Sequence, residues 1–227
     1  MFPFSVIIRF GSTTPSRLKS RVELNTVQAI KNCSDKFLMK QLFAKAGVAS
    51  PKFYTSQEIV KAAVEFPIVK KLKFRSRGNG MVLVESRKQL DAILASTSNK
   101  AGIYFEEFFD SAREYRLHVS NLGCFYTCRK LRKKDAKERW YFNSRNSSWI
   151  IESNPLFEKP ATWNEIVKEC QKGLKALGMD FAAFDVRVTK KGKFSIIEAN
   201  SAPSFGKTTL KKYLEHIPLL VKNKTKA

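Results

Sequence analysis

Two segments near the end of the chain, Phe181–Val188 (FAAFDVRV) and Lys193–Asn200 (KFSIIEAN), constrain the fold most. They are joined across Lys190, Lys191 and Gly192, so they read as two strands of an antiparallel hairpin. Side chains alternate faces along a strand. Asp185 and Arg187 then share one face, while Phe184, Val186 and Val188 take the other. In the second strand Glu198 and Asn200 share a face, opposite Ile197 and Ala199. Two carboxylates and an amide oxygen can therefore converge on one sheet face. Hard oxygen donors, with phosphate completing the shell, are what Mg²⁺ takes. The plainer alternative is a solvated face with Asp185 paired to Arg187.

Upstream, Ser34 or Asp35 can cap a helix running to about Ala46. Phe37, Leu38, Leu42 and Phe43 lie on one side of it, Gly47 ends it, and Pro51 follows. Residues 5–10 read as a short strand, and Ser56 caps a short helix. Residues 67–71 and 81–84 read as strands around the basic, glycine-containing loop KFRSRGNG, with a helix from about Arg87 to Leu94. Strands are expected at Ile103–Phe109, Tyr115–Ser120 and Cys124–Leu131. A helical stripe starts at Trp163 and closes at Gly178. Residues 132–147 read as charged and polar, and the chain ends in a basic tail. The class is α+β, with two lobes and largely antiparallel sheets.

The chain has 227 residues, 42 Lys and Arg against 20 Asp and Glu, and a formal charge of +22. A field of that sign concentrates polyanions such as nucleotides, nucleic acid or acidic peptides. Hydrophobic residues make up 43% of the chain, which excludes a disordered tail. No apolar run approaches a membrane span, and no secretory signal is expected at the N-terminus. Cys124 and Cys128 would sit about 13 Å apart along one strand, too far to share a metal or a disulfide. With only His118 and His216 and no CxxC, a zinc site is not expected. The cysteines read as core residues of a reduced, cytoplasmic protein.

Two further stretches carry chemistry. In PIVKKLKFRSRGNGMVLV, Gly78 and Gly80 let backbone amides approach a ligand, while Lys70, Lys73, Arg75 and Arg77 add charge. Such a hairpin suits a triphosphate, although an exposed turn is an equal alternative. No Walker motif is present. In IYFEEFF an apolar strand ends in two carboxylates; by itself it reads first as a core strand whose acids cap a sheet end, and the alternative is that backbone around Glu106–Phe108 reads a purine edge. Glu114 could accept from ribose hydroxyls.

Taken in order, these segments resemble the ATP-grasp superfamily. The resemblance rests on SDKFLMKQLFAKAGVASP, PIVKKLKFRSRGNGM, FEEF, EYR, FDVRV and IIEANSAPSFG, and covers roughly residues 25–206. It implies an ATP-grasp fold whose two α+β lobes clasp ATP. Residues 1–30 would be a short N-terminal remnant, 31–110 the smaller lobe, and 111–227 the larger one with the metal site and basic tail. It assigns Lys36 and Lys70 to the phosphates, and Glu106, Glu107 and Phe108 to the adenine hinge. Glu114 falls to ribose, and Gly78 and Gly80 to the phosphate loop. Asp185, Glu198 and Asn200 would hold two Mg²⁺ ions, with Mn²⁺ as an alternative. Arg116, Arg129 and Arg187 would be the cations facing transferred phosphate or substrate, and Asn143, Arg145 and Asn146 fall near a segment touching phosphate and acyl group. The implied reaction is carboxylate–amine ligation through an acyl phosphate, driven by Mg-ATP.

The chain departs from the family at Lys71, where many members have Pro, and in having only about 30 residues before the Asp-Lys helix. Its size is similar to compact phage or virus members, which would place it in a host cytoplasm. The basic run from Arg129 to Arg145 suggests an acidic peptide or polymer as substrate; charge reversal at Lys133, Lys134 and Lys137 would then weaken its binding and spare ATP. A nucleic-acid-binding protein, with Trp140 and Tyr141 stacking on bases, is the alternative from another class. An ATP-grasp kinase is a third.

Overall fold

The computed structural model describes residues 5–74, 80–137, 139–143 and 146–226. In chain order the elements are β1 (Val6–Ile8), β2 (Val22–Leu24), α1 (Val27–Ser34), α2 (Lys36–Lys45), β3 (Phe53–Tyr54) and α3 (Glu58–Lys61). Next come β4 (Ile68–Leu72), β5 (Val82–Val84), α4 (Arg87–Ser96), β6 (Ile103–Glu107), β7 (Arg113–Ser120) and β8 (Gly123–Arg132). Last are β9 (Ser147–Ile151), α5 (Trp163–Leu177), β10 (Phe181–Val188), β11 (Phe194–Asn200) and α6 (Lys207–Lys226).

Three sheets result. A four-stranded antiparallel sheet has the order β3-β6-β4-β5, and a five-stranded antiparallel sheet the order β11-β10-β7-β8-β9. A small parallel pair joins β1 to β2. The smaller sheet is closed by α3 and α4 over Ile59, Ile68, Val84, Leu90 and Phe105. The larger sheet carries α1, α2 and α5 on one face, around Ile30, Phe43, Leu117, Leu174 and Phe184.

Local chemistry fixes the helix starts. The Asp35 carboxylate accepts from the backbone N–H groups of Phe37 and Leu38, so α2 begins at Lys36. Thr26 and Ser86 cap α1 and α4 through their hydroxyls. Gly178, at φ +70°, ends α5 in the left-handed region where a side chain is disfavoured.

Several boundaries correct the sequence reading. The helices on both sides of Asp35 pack on the larger sheet, so assigning residues 31–50 to the smaller lobe misplaces them: Ala29, Ile30, Met39 and Phe43 point into the larger lobe's core. The basic tail is a 20-residue helix, α6, because Tyr213, Leu220 and Val221 recur on one face of its lysine-rich sequence and bury there. Helix α1, β2 and β9 also emerge where no element was expected; β2 is too short to show periodicity, and β9 is hidden by its polar start, Ser147-Ser148.

Tyr213 anchors α6. Its ring lies 4.8–5.8 Å from Phe10, His118, Phe125, Phe181 and Phe205, and its hydroxyl meets His118 Nδ1 at 2.9 Å. Tyr213→Ala is expected to lower stability by about 3 kcal/mol or more in urea denaturation. A loss below about 1 kcal/mol would mean that α6 is held elsewhere.

Candidate active site

The two large sheets face each other across a cleft of about 730 Å³. Strand alternation decides what enters it. From β4 come Val69 and Lys71, and from β6 Glu106 and Glu107. From the larger sheet come Glu114, Arg116, Lys130, Asp185, Arg187, Glu198 and Asn200, and Lys36 enters from the first turn of α2. Trp140, Phe142 and Trp149 supply aromatic surface.

The charged groups form a continuous ladder. Asp185 lies opposite Glu198 in the β10–β11 register and opposite Arg116 in the β10–β7 register. Arg116 clamps Asp185 with two parallel bonds, Nε to Oδ1 at 2.7 Å and an Nη to Oδ2 at 2.8 Å. Lys130 Nζ sits 3.3 Å from Asp185 Oδ2 and 2.5 Å from Glu114 Oε1. Glu114 Oε2 accepts from Arg187 Nε at 2.8 Å. Glu198 accepts from Lys36 Nζ at 2.7 Å. Across the cleft, Glu106 accepts from Lys71 Nζ at 2.6 Å, with Lys40 Nζ 3.4 Å away.

The electrostatics follow from this burial. Desolvation alone would raise the Asp185 carboxyl, but Arg116 and Lys130 hold it well below the usual carboxylate range. Glu198 is half-buried and is held low by Lys36 against desolvation and the push of Asp185. Glu106, also buried, is held low by Lys40 and Lys71. Burial lowers Lys40 to about 8 despite Glu106. Lys36 goes the other way: Glu198 outweighs its burial and raises it.

Among the expected site residues, Lys36, Glu106, Glu107, Glu114, Arg116, Arg187, Asp185, Glu198 and Asn200 line the cleft together. Four do not. Lys70 points to the other face of β4, because a strand alternates and its neighbours Val69 and Lys71 face the cleft. Arg129 is likewise one residue out of phase with Lys130: its guanidinium donates to the carbonyls of Leu156 and Phe157 and pairs with Glu158 at 3.0 Å, so it holds a loop. Phe108 is half-buried just beyond β6 and does not line the cleft. Gly80, at φ +75°, packs against Leu72 and does not line the cleft. Gly78, Arg75, Arg77 and Arg145 lie outside the described residues. Asn143 lines the cleft and Asn146 is buried beside it, the two exchanging backbone-to-side-chain bonds of 2.8 and 3.0 Å.

Lys71, Lys130 and Trp149 were missed as site residues. Period-two alternation from Glu106 and Glu114 across the pairings would have found both lysines. Trp149, 4.8 Å from the Arg116 guanidinium and 4.9 Å from Lys130 Nζ, had no signal in its polar surroundings.

Lys36, Lys71, Arg116, Lys130 and Arg187 face Glu106, Glu107, Glu114, Asp185 and Glu198, so the described lining is close to neutral. A lining of this kind suits a nucleotide triphosphate whose charge is offset by divalent metal. The Asp185 and Glu198 carboxylates and the Asn200 amide give a hard-oxygen set that fits Mg²⁺, and phosphate would relieve them of Arg116, Lys130 and Lys36.

No family model matches the sequence. Among curated proteins it is similar to probable alpha-L-glutamate ligases. That of Histophilus somni (strain 2336) is 27% identical over 218 residues, covering 88% of this chain and 69% of the relative. That of Parasynechococcus marenigrum is 26% identical over 188 residues, covering 79% of this chain but 38% of the relative. That of Pseudoalteromonas translucida is 27% identical over 188 residues, with 79% and 59% covered. The chain thus spans between 38% and 69% of the length of these curated relatives. In fold it is similar to D-alanine--D-alanine ligase from Bacillus anthracis, with a TM-score of 0.65 at 16% identity, covering 88% of this chain and 69% of that one. It is also similar to the ATP-grasp ligase PsnB complexed with minimal precursor, with a TM-score of 0.59 at 18% identity, covering 83% and 58%. The fold neighbours share the two-sheet architecture described above, and this chain has the ATP-grasp fold.

Proposed function

We propose that the protein is an ATP-dependent carboxylate–amine ligase working through an acyl phosphate. The observation that carries this reading is the cross-strand pair Asp185 and Glu198, held ionised among Lys36, Arg116 and Lys130 at the floor of a cleft between two sheets. One curated relative after another is named a probable alpha-L-glutamate ligase, and a fold neighbour from Bacillus anthracis was solved complexed with ATP.

Lys71 and Lys36 bind phosphate oxygens, and the backbone at Glu106–Glu107, next to Val69, meets the base. A substrate carboxylate oxygen attacks the γ-phosphorus, the bond to the β-phosphate bridging oxygen breaks, and ADP leaves. The amine nitrogen then attacks the acyl carbon, loses its proton, and expels phosphate. Arg116, Lys130 and Arg187 neutralise the charge on the transferred group, and the two sheets exclude water from the acyl phosphate. Mg²⁺, held by Asp185, Glu198 and Asn200, would offset charge on the phosphates.

The acidic-peptide reading extends this proposal, supported by the net charge of +22. Among the described residues, no helix is long and apolar enough to cross a membrane. The test is ADP release from Mg-ATP against pools of amino acids and acidic peptides. Release that depends on an added acceptor supports the ligase, and no release with any pool, joined to no ATP-induced rise in melting temperature, defeats it. The lysine assignment has its own test. Lys71→Met is expected to raise the KM for ATP about tenfold or more, and Lys70→Met to leave it within twofold. The opposite ranking would return the phosphate role to Lys70.

A further inference from the structure

A second cavity, of about 220 Å³, shares Arg116, Trp149 and Ser204 with the cleft and so adjoins it. It lies on the same face of the five-stranded sheet. His118, Tyr126, Cys128 and Ile151 form its floor with Trp149, as alternate residues of β7, β8 and β9. The start of α6 closes the other side at Lys207–Thr209.

The polar groups of this floor are already engaged or uncharged. Arg116 is clamped on Asp185. His118 Nδ1 pairs with the Tyr213 hydroxyl at 2.9 Å, and burial drops its imidazole to about 3, so it is neutral at physiological pH. Burial raises the Cys128 thiol, so it carries no charge either. Beside the hydroxyls of Tyr126, Ser204, Thr208 and Thr209, what remains to meet a ligand is aromatic and aliphatic surface, and Trp149 and Ile151 are 44% and 39% exposed along the sheet edge. The single ammonium in the described lining is the exposed Lys207.

We infer that this cavity holds the side chain of the amine substrate and selects an apolar or aromatic one over a carboxylate; the inference rests on the ligase reading above. The carboxylate that attacks ATP belongs among the cations of the cleft. The cavity beyond Arg116 is then left for the second reactant. Apolar surroundings lower the pKa of an ammonium group, which favours the free amine that must attack. The magnitudes agree. An exposed ion pair with Lys207 gives a glutamate side chain less than about a fivefold advantage. Each methylene seated in an apolar pocket gives about 10-fold or more.

The experiment is isothermal titration of L-phenylalanine, L-leucine and L-glutamate into the whole protein with Mg-ADP present. It is repeated on Ile151→Arg, which puts a cation into the cavity from an exposed edge-strand position. Phenylalanine and leucine are expected to bind at least about tenfold more tightly than glutamate, and Ile151→Arg to reverse the order. Glutamate binding as tightly as phenylalanine, an unchanged order in Ile151→Arg, or no saturable binding of any of the three would overturn the inference. ADP release with the same amines reads the two proposals apart. Turnover with glutamate but not phenylalanine sinks this inference and leaves the ligase standing. No turnover with any amine or acidic peptide, joined to no ATP-induced rise in melting temperature, removes the ligase reading, and with it the assignment of the cavity to an amine.

Discussion

Glu198→Ala is expected to cut substrate-dependent ADP release from Mg-ATP by about 10²–10³-fold while leaving the fold intact. The removed carboxylate is one of two oxygen donors brought face to face by the β10–β11 register. Its loss should not unfold the chain, because the cation it leaves behind, Lys36, keeps a side chain about one-fifth exposed and can be hydrated. Asp185→Ala should abolish turnover as well but destabilise the protein, since it takes the carboxylate from two cations at once, Arg116 and Lys130, whose side chains are 15% and 8% exposed. The informative readouts are therefore ADP release together with urea midpoint. Retention of more than about a tenth of the activity in Glu198→Ala would remove this residue from the reaction.

The largest loss of stability is expected at Glu114. This carboxylate is 3% exposed and bridges Lys130 and Arg187, whose side chains are 8% and 9% exposed. Glu114→Ala leaves Arg187 without its carboxylate and Lys130 with only the longer contact to Asp185. Breaking one side of a buried pair costs about 3–5 kcal/mol, because the remaining charge stays dehydrated. The double variant Glu114→Met/Arg187→Met removes both charges and should recover part of that loss. If Glu114→Ala costs less than about 1 kcal/mol, water reaches the ladder and the cleft is wetter than its exposures imply. A ribose contact at Glu114 would show separately, as weaker ATP binding in Glu114→Gln at temperatures where that variant is folded.

Much of this was legible in the sequence, for identifiable reasons. The closing hairpin alternates so regularly that Asp185, Glu198 and Asn200 could be placed on one face, and the structure brings them into one cleft. The Asp35 cap and Gly47 stop bounded α2 to within a residue. Phase was the weak point. Lys70 and Lys71 are adjacent lysines, as are Arg129 and Lys130 adjacent cations, and neither pair reveals which member faces the cleft until the strand's partner is known. Long-range packing was the other gap. Nothing local to Met39 or Phe43 says that they bury against β11 and against α5 and β10, so α2 was given to the wrong lobe. The lysines of α6 hid the Tyr213 stripe for the same reason: its partners, Phe10, Phe125 and Phe181, lie far away in sequence.

The position of α2 bears on how the cleft can open. The helix packs on the larger sheet, yet its Lys40 reaches Glu106 on the smaller one, and its Phe37 ring meets Phe53 and Tyr104 there, 5.3 and 5.8 Å away. Swinging the sheets apart about any axis that separates Lys40 from Glu106 must admit water to a lysine and a glutamate that are 1% and 2% exposed. That pair acts as a pivot pin: rotation about it leaves the contact dry, whereas translation across it does not. Access for nucleotide that keeps this pair dry is thereby confined to hinging at the α2 end of the cleft.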